Sequence, residues 1–443
     1  MKPKQMATTT QEDQLLRNQI FSNKTEQKFL AWYRNFFSVK EIEGNLTLQW
    51  SFGAILLTYL IGFGTWVSST ITTTESFIKN SYICWPHFQT CGEYYFLSNL
   101  PYGYSQAAFF SLLLGIITLI AFLMSKKDWV LAHMLMLLLL VFKITFVFFI
   151  TFGIGGNFDY FDIIFSIVIL IFPHKLFFLK LSFVVMYFLA ATIKLDDGWV
   201  LGTYFTSLQT GLPLFPDNLT PLFTNLVIFM QIVGSWFLLS SNKILQRLAL
   251  FYFLCFHFYS GIIVYYRYLL STIPILLIIF GPHYKFSKVP LDKKSIAGWT
   301  LIAIMFFMQS IPLMIEGDHR MTLEGNRYGL YMFEANHQCI SNYKIELSNG
   351  DVIENEKQSA SARGRCDPYK SWFKFKQMCI RHKNISRISW QFNHSINGGP
   401  FYQIVDTPNV CELEYNTFSH NKWIKTSYDK PAVIGYPVKN IYY

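Results

Sequence analysis

Six consecutive residues, KLDDGW (Lys194 to Trp199), set an amine, two carboxylates and an indole at the end of a long apolar run. A lysine held in apolar surroundings has its ammonium destabilised, which brings the free amine into general-base range. The plainer alternative is an anchor, with the indole and a snorkelling amine marking a membrane–water boundary. The residues that follow, WVLGTYFTSLQTGLPLFPDNL, are too polar and broken to span a bilayer and too apolar for a plain loop. They read as an interfacial or re-entrant segment able to cap a cavity, since irregular backbone at that depth needs protein or water around it. His257, in LCFHFYSG, is a second candidate, because an ionisable group within an apolar span is a functional hypothesis by default. Lys143, in LLVFKITFVFF, calls for a counter-charge, with Asp159 or Asp162 as the available partners. His133, Asp159 and Asp162 read as structural. His87 between Cys84 and Cys91 is too few ligands for a metal, and no metal is expected.

Positioning these groups requires a membrane architecture. The chain has 443 residues, of which 52% are hydrophobic and only 14% charged, against roughly 25% charged in soluble domains. Counting about 20 apolar residues per crossing gives about nine spans, near 50–68, 105–124, 129–151, 158–173, 176–193, 220–240, 247–265, 268–281 and 298–315. The first 30 residues contain no apolar core, so no cleavable signal is expected and the first span serves as a signal anchor. Basic loops around Lys126/Lys127, Lys175/Lys180, Lys243/Arg247 and Lys285 to Lys294 place the N-terminus in the cytoplasm. The opposite face carries only Lys79, Lys194 and Arg267 in its short loops. The net charge of +10 therefore reports topology and not nucleic-acid binding.

Three regions result: a cytoplasmic segment (1–48), a multispan domain (49–315) and an extracytoplasmic domain (316–443). Cys84, Cys91, Cys339, Cys366, Cys379 and Cys411 all fall on the external face and are disulfide candidates with open connectivity. Alternation around Asn349-Gly350 predicts a hairpin with a type I′ turn, and a second strand pair is expected around Asn397-Gly398-Gly399. The fold class is thus an all-α polytopic membrane domain with a mainly β, disulfide-bearing external domain. The strip HRMTLEGNRYGLYMF, after the last span, reads as juxtamembrane packing or, alternatively, a lid. Walker, Rossmann, nucleophile-elbow and zinc motifs are absent from the sequence.

Tyr187-x-x-Ala190 followed by Lys194-Leu195-Asp196, Trp199 and Gly202 resembles the signature of the vitamin K-dependent γ-carboxylase superfamily, whose bacterial branch is the HTTM domain family. The likeness extends coarsely over 50–315, and EGNRYGLYMFEANHQC is similar to the family's segment after its last span. The resemblance implies a carboxylase- or epoxidase-like enzyme in a bacterial inner membrane, with a reduced quinone or another lipid as cofactor or substrate. It implies Lys194 as the base and His257 as a second catalytic residue. Asp196, Trp199, Asn157 and Tyr160 are the candidate substrate-binding residues. The family's Asn-His pair has Asn157-Phe158 as its counterpart, and phenylalanine neither donates a hydrogen bond nor shuttles a proton. That substitution argues against glutamate carboxylation and leaves quinone or lipid binding open. Beside the enzyme stands a reading from another class: a non-catalytic membrane binding or maturation factor for a secreted peptide or protein.

Overall fold

The computed structural model describes residues 24–61, 82–94, 104–145, 157–208, 211–263, 269–331, 333–361 and 366–426. Lys79, Arg267 and the predicted span ends at 62–68, 146–151 and 264–265 lie outside them, as do the side chains of Asn157 and Phe158.

The chain opens with α1 (Lys24–Phe36) and α2 (Val39–Glu43). A helical bundle follows: α3 (Leu46–Ile61), α4 (Tyr104–Ser125), α5 (Trp129–Thr145), α6 (Asn157–Ile171) and α7 (Lys175–Thr192). Three helical stretches among the described residues are long and apolar enough to cross a bilayer: Lys175–Thr192, Asp217–Phe237 and Lys293–Met314. Leu46–Ile61, Ser111–Ser125, Trp129–Thr145 and Ser271–Phe280 are apolar but shorter. Helix α7 is the axis of the bundle, with Phe178 to Ala191 almost continuously buried. Its N-terminus is satisfied by Glu41, whose carboxylate accepts the His174 and Lys175 amides at 2.9 Å each, a favourable placement of negative charge at a helix start. Lys175 and Lys180, read from the sequence as loop charge, are instead buried. Lys175 donates to the Phe172 carbonyl at 3.0 Å and Lys180 to the Lys285 carbonyl at 2.6 Å.

Helices on both sides of α7 carry large apolar groups outward as well as inward. Leu112, Phe122, Leu222, Phe229, Leu248, Phe251, Leu277 and Phe307 are all exposed. Polar groups sit inside. Lys143 lies between Asp159 at 3.1 Å and Asp162 at 3.0 Å, so both of the counter-charges suggested by sequence are used. His133 bonds the Tyr33 hydroxyl and the Leu170 carbonyl, a structural role.

After α7 the chain makes two single turns, α8 (Asp197–Val200) and α9 (Thr203–Thr206), and does not span. It resumes with α10 (Thr220–Phe229), which continues through a π turn at Met230–Gly234. Then come α11 (Lys243–Phe258), α12 (Leu269–Phe280) with Pro274 inside it, and α13 (Ile296–Ser310). The C-terminal region begins with α14 (His319–Thr322) and holds α15 (Pro368–Arg381) against a four-stranded antiparallel sheet in the order β2-β1-β3-β4. The strands are β1 (His337–Leu347), β2 (Val352–Ser361), β3 (Ile385–Ile396) and β4 (Tyr402–Thr407). Trp372, Phe375, Trp390 and Phe392 form its core.

Turn chemistry departs from the expectation at one hairpin. Between β1 and β2 only Gly350 has positive φ (+91°), and the Gly350 amide donates to the Leu347 carbonyl. That is a type I turn closed by a left-handed glycine, the three-residue hairpin loop, in place of type I′. The β3–β4 turn has positive φ at both Asn397 and Gly398, so the primed geometry occurs there. Three disulfides join Cys84–Cys91, Cys339–Cys366 and Cys379–Cys411. All six candidate cysteines are paired, and Cys255 is free.

Candidate functional site

Lys194 emerges from the turn that ends α7 and folds back on it. Its Nζ donates to the Ala190 carbonyl, one of the acceptors left over at a helix C-terminus, where positive charge is also favoured by the helix dipole. The amine lies 5.3 Å from the centre of the Trp199 ring, a cation–π contact. The residue is only 4% exposed, and burial lowers its pKa to about 7 against the opposing pull of Asp196 and Glu334. Burial thus favours the free amine relative to an exposed lysine. Lys194 does not point into bulk water, which an anchor at the interface would do.

Asp196 is the N-cap of α8, accepting from the Gly198 amide at 2.6 Å, and its Oδ1 also lies 3.3 Å from Arg320 Nη1. Its Oδ2 is buried with no hydrogen-bond donor. Burial raises the Asp196 pKa, more than Arg320 and the cap amides lower it. Trp199 donates from Nε1 to the Phe333 carbonyl at 2.7 Å and stacks on Tyr204. The indole thereby ties the segment after α7 to the C-terminal region.

Two glycines permit this joint. A Cβ on Gly198 would lie 2.4 Å from Asn397 Nδ2, so the α8 turn and the β3–β4 hairpin meet only because that side chain is absent. Gly202 has φ +75°, and a Cβ there would meet Thr220 and Pro221. Asn336 completes the seam by donating from Nδ2 to Ser207 Oγ at 3.1 Å.

A cavity of about 410 Å³ opens beside this joint. Thr192, Ile193, Leu195, Asp196 and Asp197 form one wall, Gln309 and Leu313 a second, and Asp318, His319, Arg320 and Tyr331 the third. Arg320 is doubly bonded to Asp318 at 3.0 and 2.8 Å while reaching Asp196. Burial would raise the Asp318 pKa, but these bonds from Arg320 hold it below the usual range. Leu195 and Leu313 are exposed at the rim. The HRMT strip thus lines the cavity, which sequence reasoning offered only as the alternative to packing.

The structure brings together Asp196, Trp199 and Lys194 but not the remaining candidates. Lys194 sits behind the wall formed by its neighbours and does not itself line the cavity. His257 lies inside the bundle, bonded to the Tyr187 hydroxyl and, at 3.3 Å, to Thr272. Tyr187 precedes Lys194 by two helical turns, roughly 10 Å along a helix, and neither Lys194 nor His257 lines the cavity beside the joint. Tyr160 is on α6, among the residues packed on the bundle core and away from the cavity wall. Asn157 opens α6, and its side chain lies outside the described residues.

Sequence reasoning missed Glu334, His337 and His394. All three are buried, and nothing in their local spacing marks them. Among the described residues no group of three or more His, Cys, Asp or Glu is arranged to hold a metal ion. Comparison of the chain with protein-family models, with curated proteins and with solved structures finds no match in any of the three.

Proposed function

We propose that this chain is an HTTM-type membrane protein with nine crossings, a cytoplasmic N-terminus and an external C-terminal region, in a bacterial inner membrane. In this reading Lys194 is a base acting on a membrane-borne substrate that donates a hydroxyl proton, a reduced quinone or similar lipid. The outward-facing leucines and phenylalanines support a lipid surround, because a water-facing bundle would carry polar groups there. Exposed Lys126, Lys127, Lys243, Arg247, Lys288, Lys293 and Lys294 support the orientation.

The observation that carries the proposal is a buried lysine, its amine near neutrality, one side chain behind a cavity whose rim is apolar and whose walls are charged. Such a site suits an amphiphile: the tail lies on Leu195 and Leu313, and the head reaches Asp196. The Asp196 Oδ2 oxygen, which lacks a donor, fits a hydroxyl group. A reduced quinone would supply an acidic hydroxyl and an electron-rich ring. Lys194 Nζ in its free form takes the hydroxyl proton, Asp196 orients the head, and Arg320 keeps Asp196 from drifting into the cavity.

Incubating the protein in lipid discs with a short-chain hydroquinone tests this directly. The wild type should bind it and give the ultraviolet absorbance of the ionised probe, while Lys194→Arg should bind without ionising it, because a guanidinium does not give up its proton. Equal ionisation by Lys194→Arg overturns the base assignment. A second reading, a non-catalytic binding or maturation factor for a secreted partner, draws on the Lys194–Ala190 bond, which uses the amine as a helix cap. It is favoured if Lys194→Arg and the wild type support cellular function equally.

A further inference from the structure

Not every outward-facing apolar group lies on a bundle helix. On α1, Phe29, Trp32 and Phe36 recur at alternate spacings of three and four residues, so they form one stripe, and they are 48%, 54% and 62% exposed. Trp32 and Phe36 stack on each other at 5.2 Å. The adjacent edge of the helix is the one that packs. Tyr33 is buried with its hydroxyl 2.8 Å from His133 Nδ1, and Phe37, just past the helix end, lies against the same imidazole. Helix α1 is thus fixed to α5 by one edge and presents an aromatic edge that the fold does not use. Its 13 residues, about 20 Å of helix, are too few to cross a bilayer.

A second patch lies at the same end of the molecule. Glu41 of α2 accepts the His174 and Lys175 amides, and the His174 ring bonds Asp292 at 2.9 Å, so α2, the start of α7 and the 281–295 segment meet there. Lys180 holds that segment through the Ser287 hydroxyl at 3.0 Å. Within it Phe286, Val289 and Leu291 are exposed among exposed Lys285, Lys288, Lys293 and Lys294. Exposed Lys126 and Lys127 form the α4–α5 turn that precedes His133, and exposed Lys28 and Lys40 lie on α1 and α2. Several carboxylates of this end are engaged: Glu41 at α7, Glu43 with Arg34, and Asp292 with His174. Ammonium groups are left in excess. Water disfavours the bare rings, and hydrocarbon disfavours the amines. A headgroup layer suits both, with rings at the acyl boundary and amines on phosphates.

We propose that α1 and the 281–295 segment form an interfacial collar that binds anionic phospholipid headgroups, with Phe29, Trp32, Phe36 and Phe286 entering the acyl boundary. Clustered lysines favour anionic over zwitterionic lipid, because each is attracted by the negative surface potential of an acidic leaflet. A soluble acidic partner would meet the same charges but offers no hydrocarbon for the rings, so lipid is the occupant that uses both halves of the surface. The inference rests on the proposed placement of the bundle in a bilayer, and its test separates the two.

Full-length protein is reconstituted in discs of phosphatidylglycerol or of phosphatidylcholine, each carrying a nitroxide-labelled acyl chain as quencher. A fluorophore on Asn35→Cys in a Cys255→Ser chain reports α1, since Asn35 is exposed beside the stripe. A fluorophore on the native thiol of Cys255, free and exposed on α11, reports the bundle. The α1 probe should be quenched several-fold more in phosphatidylglycerol than in phosphatidylcholine. Trp32→Ser with Phe36→Ser should lose the quenching. Lys28→Gln, Lys40→Gln, Lys126→Gln and Lys127→Gln together, all at exposed positions, should lose the preference between lipids. An unquenched α1 probe, equal quenching in the two lipids, or a preference that survives the four glutamines overturns the proposal. If the Cys255 probe is quenched while the α1 probe is not, only the collar fails. If neither is quenched, the membrane placement fails with it.

Discussion

Trp199→Phe isolates the clasp between the helical bundle and the C-terminal region. The substitution keeps an aromatic ring but deletes the Nε1 donor that bonds the Phe333 carbonyl at 2.7 Å. Phe333 O then loses its charge-free but well-aligned partner in a buried seam, at a cost of about 1–3 kcal/mol. The smaller ring is also a weaker partner for the Lys194 amine 5.3 Å away, worth about 0.5–1 kcal/mol more. Together roughly 2–4 kcal/mol is lost from one joint, which raises its local opening on the order of 30- to 1,000-fold. The tail's own core, built on Trp372 and Trp390 and closed by the disulfides Cys339–Cys366 and Cys379–Cys411, is not touched by this change. Hydrogen exchange should therefore accelerate over Glu334 to His337 while the amides of β3 and α15 stay protected. Unchanged exchange over that segment would refute the clasp. Equal acceleration everywhere would also refute it, by showing that Trp199 supports the whole fold and not this joint.

Gly198→Ala places a methyl 2.4 Å from Asn397 Nδ2 and should cost about 1–3 kcal/mol by overpacking, read as a lower melting temperature. Asn397→Ala in the same chain should restore most of the loss, and strict additivity of the two changes would rule out the contact. The C-terminal region should also lose stability as pH falls from about 6.5 towards 3. His394 is held neutral in the fold with its pKa lowered to about 3, so below its ordinary value the unfolded chain binds the proton first. Thermal melts across that window, compared with His394→Asn, measure the effect, and an equally steep profile in the variant would exclude His394 as its source.

Much of the framework was legible from local sequence. The apolar runs read as helices because hydrophobicity is a property of the residues themselves, and the break after Lys194 was visible because Asp196-Asp197-Gly198 cannot continue an apolar helix. The even set of cysteines signalled disulfides, but not which cysteine meets which, since pairing is fixed by where β1, α15 and the turn after β4 bring them. The β1–β2 turn was misread for a related reason. Asn-Gly favours a primed turn, yet strand register selected a longer loop in which only Gly350 is left-handed.

The site divides along the same line. Sequence alone determined that an amine would end a buried apolar helix beside a carboxylate cap and an indole, because these are nearest neighbours in the chain. Only the tertiary structure decided what that amine faces. Folding carried Arg320 to its neighbour Asp196 and the Phe333 carbonyl to Trp199 from beyond the last apolar helix, tied His257 to Tyr187 two turns back along α7, and closed a cavity around the lysine's neighbours instead of around the lysine. Those outcomes depend on Gly198 and Gly202 allowing two backbones to approach and on one indole bond across the seam. Contacts of that kind are set by packing over the whole chain, and no local spacing encodes them.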